Sequence, residues 1–204
     1  MSRPARHLLL ANAATLVAAL LLHWSLDWLL WPYWLQSVVI GWYARKRMLG
    51  LERFSTEGFA SNGRRVPEDD PASKRSTANF FTLHYGVFHL AYLVFLCKEH
   101  ALHAGWEWLV LIACGASFVL SQRETFAIQH AADLRGRPNL GTLMFTPYLR
   151  IVPMHLAILL GATLGGGAAM LAAFTALKTA SDLLLDHVDR RIAQPRAARA
   201  ETAS

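Results

Sequence analysis

The sequence predicts an all-α protein, a six-helix transmembrane bundle with both termini cytoplasmic. Three observations lead there. Apolar stretches of bilayer length recur along the chain, and basic residues gather in alternate connections. Charged residues make up only 17% of the 204 residues, against roughly 25% in a soluble domain. Hydrophobic residues reach 54%, so most of the chain suits lipid better than water.

A span needs about 20 mostly apolar residues. The first candidate, 8–30, follows Arg3 and Arg6 and runs past the length of a signal-peptide core into Trp24, Trp28 and Trp31. It therefore reads as an uncleaved helix with an outer aromatic belt. The second, 33–50, starts after Pro32, carries Gln36 and ends in Arg45, Lys46 and Arg47, a pattern that fits a short helix packed among others. The third and fourth are 78–98 and 105–122. The fifth, 143–163, contains Pro153, which kinks a helix and frees a carbonyl. The sixth is 166–186.

Residues 51–77 are mixed in charge and rich in Gly, Pro and Ser, which reads as a mobile cytoplasmic loop. Residues 123–139 read as an amphipathic helix lying on the cytoplasmic face. Residues 1–190 then form one transmembrane domain, and 191–204 a disordered cytoplasmic tail.

Orientation follows from Lys and Arg. Arg3 and Arg6, the run from Arg45 to Arg75, Arg123 with Arg135 and Arg137, and Arg190 to Arg199 all fall on one side if six helices alternate. The other connections hold only Lys98. This is the cytoplasmic bias of basic residues. It also accounts for the net charge of +6 without a nucleic-acid partner. Cys97 and Cys114 have no CxxC or metal-ligand spacing, so no disulfide framework is implied.

Ionisable residues inside the apolar stretches are the functional signal, because each costs about 2.5 kcal/mol or more in lipid unless paired or wet. Counting about 1.5 Å of rise per residue puts His84 and Arg150 roughly 9 Å inside the cytoplasmic boundary. Asn12 and Asp182 fall at a similar depth, and His89, His155 and Lys178 one to two turns further in. Lys178 and Asp182 are spaced i,i+4 on one face. His84, His155 and Asp182 come from separate helices, and two histidines with a carboxylate form a ligand set for zinc or iron with open positions. Arg150 and Lys178 would hold an anionic substrate group, and a metal-activated water would make the site a hydrolase. Without metal, the same residues make an anion-binding pocket or a proton relay. Two histidines could also ligate a haem. The remaining reading is a structural network in which Asp182 pairs Arg150 and Lys178. Gly86, beside His84, is expected to permit close helix approach.

The segments YWLQSVVIGWYARKRML, FFTLHYGVFHLAYLVFL, TPYLRIVPMHLAILLG and ALKTASDLLLDH resemble a bacterial membrane-protein family of unknown function, from about Pro32 to His187. The HYGxF motif at His84–Phe88 is the most specific element. The chain departs from the family pattern at Gln36, where a glutamate is frequent. The resemblance implies a small polytopic inner-membrane protein and no established activity.

The combined expectation is a metal-dependent intramembrane hydrolase acting on a lipid-like or small amphipathic substrate, with zinc or iron as cofactor. The alternatives are an anion-binding or proton-coupled transport protein, or a partner-binding subunit without catalysis. The expected partners are membrane lipids and a small anionic or amphipathic ligand, and self-association is compatible with the fold.

Overall fold

The computed structural model describes residues 27–152, 155–156, 172–181 and 183–184. The first expected span up to residue 26, much of the fifth and sixth, Asn12, Asp182 and the tail lie outside these residues. The described part is mostly helical.

Helix α1 (Asp27–Leu49) ends with Lys46 and Arg47 in its last turn, where cations complement the helix dipole. Pro32 lies inside this helix and not at its start. Helix α2 (Pro71–Glu99) opens with Asp70 as N-cap, its carboxylate accepting from the Ala72 and Ser73 amides, and with Pro71 in the first turn. Asp70 thereby satisfies two orphan amides of the first turn, and the ring of Pro71 fixes its own φ near the helical value. Helix α3 (Gly105–Arg135) is one continuous element. The carboxylate of Glu107 accepts from the amides of His103 and Ala104 at its start, at 2.7 and 2.8 Å. The separate surface helix expected at 123–139 is absent, because no proline and no turn sequence stands between Gly105 and Gly136, and the lone Gly115 is tolerated within the helix.

At about 1.5 Å per residue, α2 and α3 are each over 40 Å long, more than the roughly 30 Å of a bilayer core. Both are long and apolar enough to cross a membrane. Their outward faces are apolar, with Leu83 and Ile128 both 72% exposed.

Helices α1 and α2 run antiparallel. The Trp31 indole donates to the His100 carbonyl (2.7 Å), the Trp34 indole to the His89 carbonyl (3.0 Å), and the Tyr85 hydroxyl to the Ser37 carbonyl (3.0 Å). Lys74 Nζ donates to the Leu51 carbonyl. Along α3 the order reverses. Trp31 meets Trp108, Tyr43 meets Phe126, and Arg47 pairs with Asp133. Helices α1 and α3 are therefore parallel. The C-termini of α1 and α3 and the N-terminus of α2 share one end, and Arg45, Lys46, Arg47, Lys74, Arg75 and Arg135 gather there.

Close approach between α1 and α2 occurs at Gly41, where an added Cβ would lie 2.5 Å from Tyr85 Cε1. The expectation for Gly86 is not met, since nothing would lie within 4 Å of a Cβ there.

The expected mobile loop is instead a folded cap ending at residue 70, where α2 begins earlier than anticipated. Strands β1 (Ala60–Ser61) and β2 (Arg64–Arg65) pair antiparallel around Asn62 and Gly63, with φ 51° and 73°. Two consecutive left-handed residues of this type make a tight hairpin turn. Phe54 and Val66 are buried, each contributing roughly 1.5–3 kcal/mol relative to exposure. The fully buried Thr56 hydroxyl donates to the Val66 carbonyl at 2.6 Å. Ser55 and Asn139 form a parallel bridge, with the Ser55 amide donating to the Pro138 carbonyl and the Leu140 amide to the Ser55 carbonyl, both at 2.9 Å. Arg137 donates to Glu68 (2.9 Å) and Asp69 (2.6 Å). Two of the acidic residues that suggested disorder are thus paired with Arg137, from beyond the segment.

Helix α4 (Leu140–Phe145) is capped by the Asn139 carboxamide and leads into a 3-10 turn, Thr146–Arg150. Residues 151–152 and 155–156 are helical, as are 172–181. Phe174 packs edge-on against Tyr33 at 5.4 Å, and the Ser181 hydroxyl donates to the Leu149 carbonyl at 2.9 Å.

Candidate functional site

A row of rings lies where α2 meets residues 148–155. His84 Nδ1 and the Tyr148 hydroxyl are 2.9 Å apart, and His155 Nδ1 and the Tyr92 hydroxyl 3.2 Å apart. The two pairs are crossed, since each segment supplies one histidine and one tyrosine. They also fix the direction of packing, because residue 84 meets 148 and 92 meets 155, so the two segments run parallel. The pairs are eight residues apart on α2, about 12 Å along a helix.

Tyr85 and His89 fill the interval. Their rings stack at 4.2 Å, and Tyr85 stands 5.5 Å from Tyr148. His89 is 6.3 Å from Tyr92, centroid to centroid. His89 is buried at 6% exposure, and its Nδ1 lies 2.9 Å from the Tyr85 carbonyl. A carbonyl only accepts, so Nδ1 carries the hydrogen and Nε2 of the neutral ring is the basic nitrogen. Spacing explains the alignment: 84, 85, 88, 89 and 92 follow the i, i+4 repeat that keeps side chains on neighbouring faces of one helix.

Among the expected site residues, the structure therefore puts His84 and His155 on the same seam but in different pairs. Lys178 Nζ lies 5.8 Å from the Tyr33 ring centroid. Of Arg150 only the backbone is described, closing the 3-10 turn. Each imidazole meets its tyrosine hydroxyl through Nδ1, so a shared metal would have to be held by the other ring nitrogens, at about 2.0–2.1 Å from one ion. No group of three His, Cys, Asp or Glu side chains converges among the described residues.

A second polar centre, not anticipated from sequence, lies at the basic end. Arg47 is 8% exposed and Asp133 4% exposed. The guanidinium donates through Nε and Nη2 to both carboxylate oxygens, the latter contact at 2.9 Å. Nearby His130 stacks on Phe126 at 5.2 Å and abuts Gly50, and its Nδ1 is buried without a hydrogen-bond partner among the described residues. The sequence offered a signal for this centre only in retrospect. Asp133 is spaced seven and eleven residues from Phe126 and Gln122 on one helical stripe, which is visible once α3 is known not to break at 123.

Comparison with known proteins adds one finding. The chain matches a family of unknown function, DUF6498, over residues 2–200. The chain belongs to that family. No curated protein matches it, and no solved structure does. Membership of DUF6498 agrees with the expectation of a family without an assigned activity, and the geometry of this DUF6498 member is what bears on function.

Proposed function

We propose that the protein is a multi-pass membrane protein that moves protons along the α2 seam, in the manner of a proton-coupled transporter. The observation that carries this reading is the pair of crossed His–Tyr contacts, His84 with Tyr148 and His155 with Tyr92; the Nδ1 hydrogen of His89 is held by a backbone carbonyl, so that ring can take up and return a proton only at Nε2. An imidazole that accepts a proton on Nε2 can release the one on Nδ1 to a tyrosine oxygen, which gives up its own hydrogen to the next acceptor. Chains of such groups inside membrane bundles mark proton paths. Water between the pairs would complete the connection. The six-helix topology is supported by the alternating directions of α1, α2 and α3, by the parallel packing of 148–155 against α2, and by the basic residues gathered at one end.

The test is proton flux into proteoliposomes loaded with a pH-sensitive dye, driven by a potassium diffusion potential. The expected result is protein-dependent flux that falls about tenfold or more in Tyr148→Phe and in Tyr92→Phe, because a proton-transfer partner is worth at least that much. Wild-type flux equal to that of empty liposomes, or unchanged in both variants, overturns the reading. The metal-dependent hydrolase makes a different forecast: about one zinc or iron per chain, lost in His155→Ala.

A further inference from the structure

We infer that a cavity at the basic end of the molecule binds a small uncharged polyol through its hydroxyl hydrogens. The cavity, about 120 Å³, lies between α1, α3 and the segment that joins α4 to the 3-10 turn. That is far more than the roughly 10–15 Å³ a single water needs.

Its wall on α3 reverses the usual pattern. Gln122, Thr125 and Gln129 line the cavity, while the neighbouring Leu120 and Ile128 face outward and are 64% and 72% exposed. These side chains give the wall hydrogen-bonding capacity toward a bound molecule. Tyr43, Arg47 and Thr146 complete the polar lining, so the wall presents donors as well as acceptors.

The direction of the hydrogen bonds selects the ligand. The Thr125 hydroxyl donates to the Ser121 carbonyl at 3.1 Å, and the Thr146 hydroxyl to the Thr142 carbonyl at 2.6 Å. Both therefore offer the cavity lone pairs only, so an anion would meet them lone pair to lone pair. The Arg47 charge is neutralised by Asp133, which removes the main attraction for an anion. Lys46 adds positive charge beside the cavity, its Nζ 5.7 Å from the ring centroid of Tyr43, a residue of the cavity wall, which disfavours a cation. A neutral molecule with several O–H donors, able also to accept from the glutamine carboxamides, is the complement of this wall. This inference is independent of the proton-path reading, since the two sites share no side chain.

Saturation-transfer NMR on the full chain in detergent tests it with glycerol, acetate and methylammonium as probes. The expected result is transfer to glycerol well above that to either ion, weakened about fivefold by Thr125→Val and again by Thr146→Val, as loss of one hydrogen bond each predicts. Both variants nearly preserve side-chain shape. Gln122→Leu, expected to weaken glycerol similarly, provides a second route should either threonine variant fail to fold. Acetate or methylammonium binding at least as well as glycerol, glycerol unaffected in the folded variants, or no transfer to any probe overturns the inference.

Discussion

Arg47 and Asp133, 86 residues apart in sequence, close the basic end of the bundle through two charge-assisted hydrogen bonds between α1 and α3. Both are nearly excluded from solvent. A buried ion pair of this kind is demanding, since each charge depends on the other for compensation.

Removing one partner strands the other. Asp133→Ala should lower stability by about 3–5 kcal/mol, read as a fall in the midpoint of thermal unfolding in detergent. Replacing both groups together by Met at 47 and Leu at 133 should recover much of that loss, because the buried charge disappears with its partner. A double variant as unstable as Asp133→Ala would show that the pair has another indispensable role.

Two glycines on facing helices should respond in opposite ways. Gly41→Ala drives a methyl to within 2.5 Å of the Tyr85 ring, and Tyr85 is itself held by the Ser37 carbonyl. A loss of about 1–3 kcal/mol is expected from such overpacking. Gly86→Ala points into open space and should be neutral or stabilising by roughly 0.5–1 kcal/mol through helix propensity. Unfolding midpoints of the two variants, measured side by side, check the contrast.

The cap should loosen on acidification. The Thr56 amide, with help from Arg137 and the Ser55 hydroxyl, holds Glu68 below the usual carboxylate range, and Arg65 acts in the same direction. The Ser73 hydroxyl and amide do the same for Asp70. A carboxylate whose folded value is depressed stabilises fully above its unfolded value, and that stability is lost as pH falls through the folded one. Hydrogen exchange across 51–70 should therefore be flat above pH 4.5, the ordinary value for Glu68, and accelerate below it. Glu68→Gln should show faster exchange at neutral pH and a weaker acid response. Exchange independent of pH on correction for intrinsic rates would contradict this.

The helical class, the existence of α2 with its C-terminal end and the polar character of its inner face were legible in the sequence, because apolar runs and i, i+4 spacing are local signals; its first turns fall within the stretch expected to be a loop. The depth argument has His84 and His155 meeting at one site; in the structure they lie on one seam in separate pairs, each turned to a tyrosine. Tyr92 and Tyr148 look like ordinary membrane aromatics until the partner segment is known. The cap was misread because Glu68, Asp69 and Arg137 pair across 68–69 residues of sequence. The Asn62-Gly63 turn at its tip is, by contrast, a local hairpin signal. Asp133 escaped notice because a break at 123 was assumed, which moved it out of the bundle.

The direction of the helices makes a prediction about sidedness. If α1 and α3 descend toward the cytoplasm and α2 ascends, the hairpin and the connection between α2 and α3 must face opposite sides of the membrane. Ser61 and His103 are both exposed, one on each. Single cysteines at these positions, introduced into a chain carrying Cys97→Ser and Cys114→Ala, should differ in reaction with a membrane-impermeant maleimide. Intact spheroplasts should label His103→Cys and leave Ser61→Cys unreacted until the membrane is permeabilised, because the basic end belongs on the cytoplasmic side. The reverse pattern would invert the orientation while keeping the fold. Equal labelling of both in sealed cells would remove the membrane-spanning reading of α2, and with it the proton path along that helix.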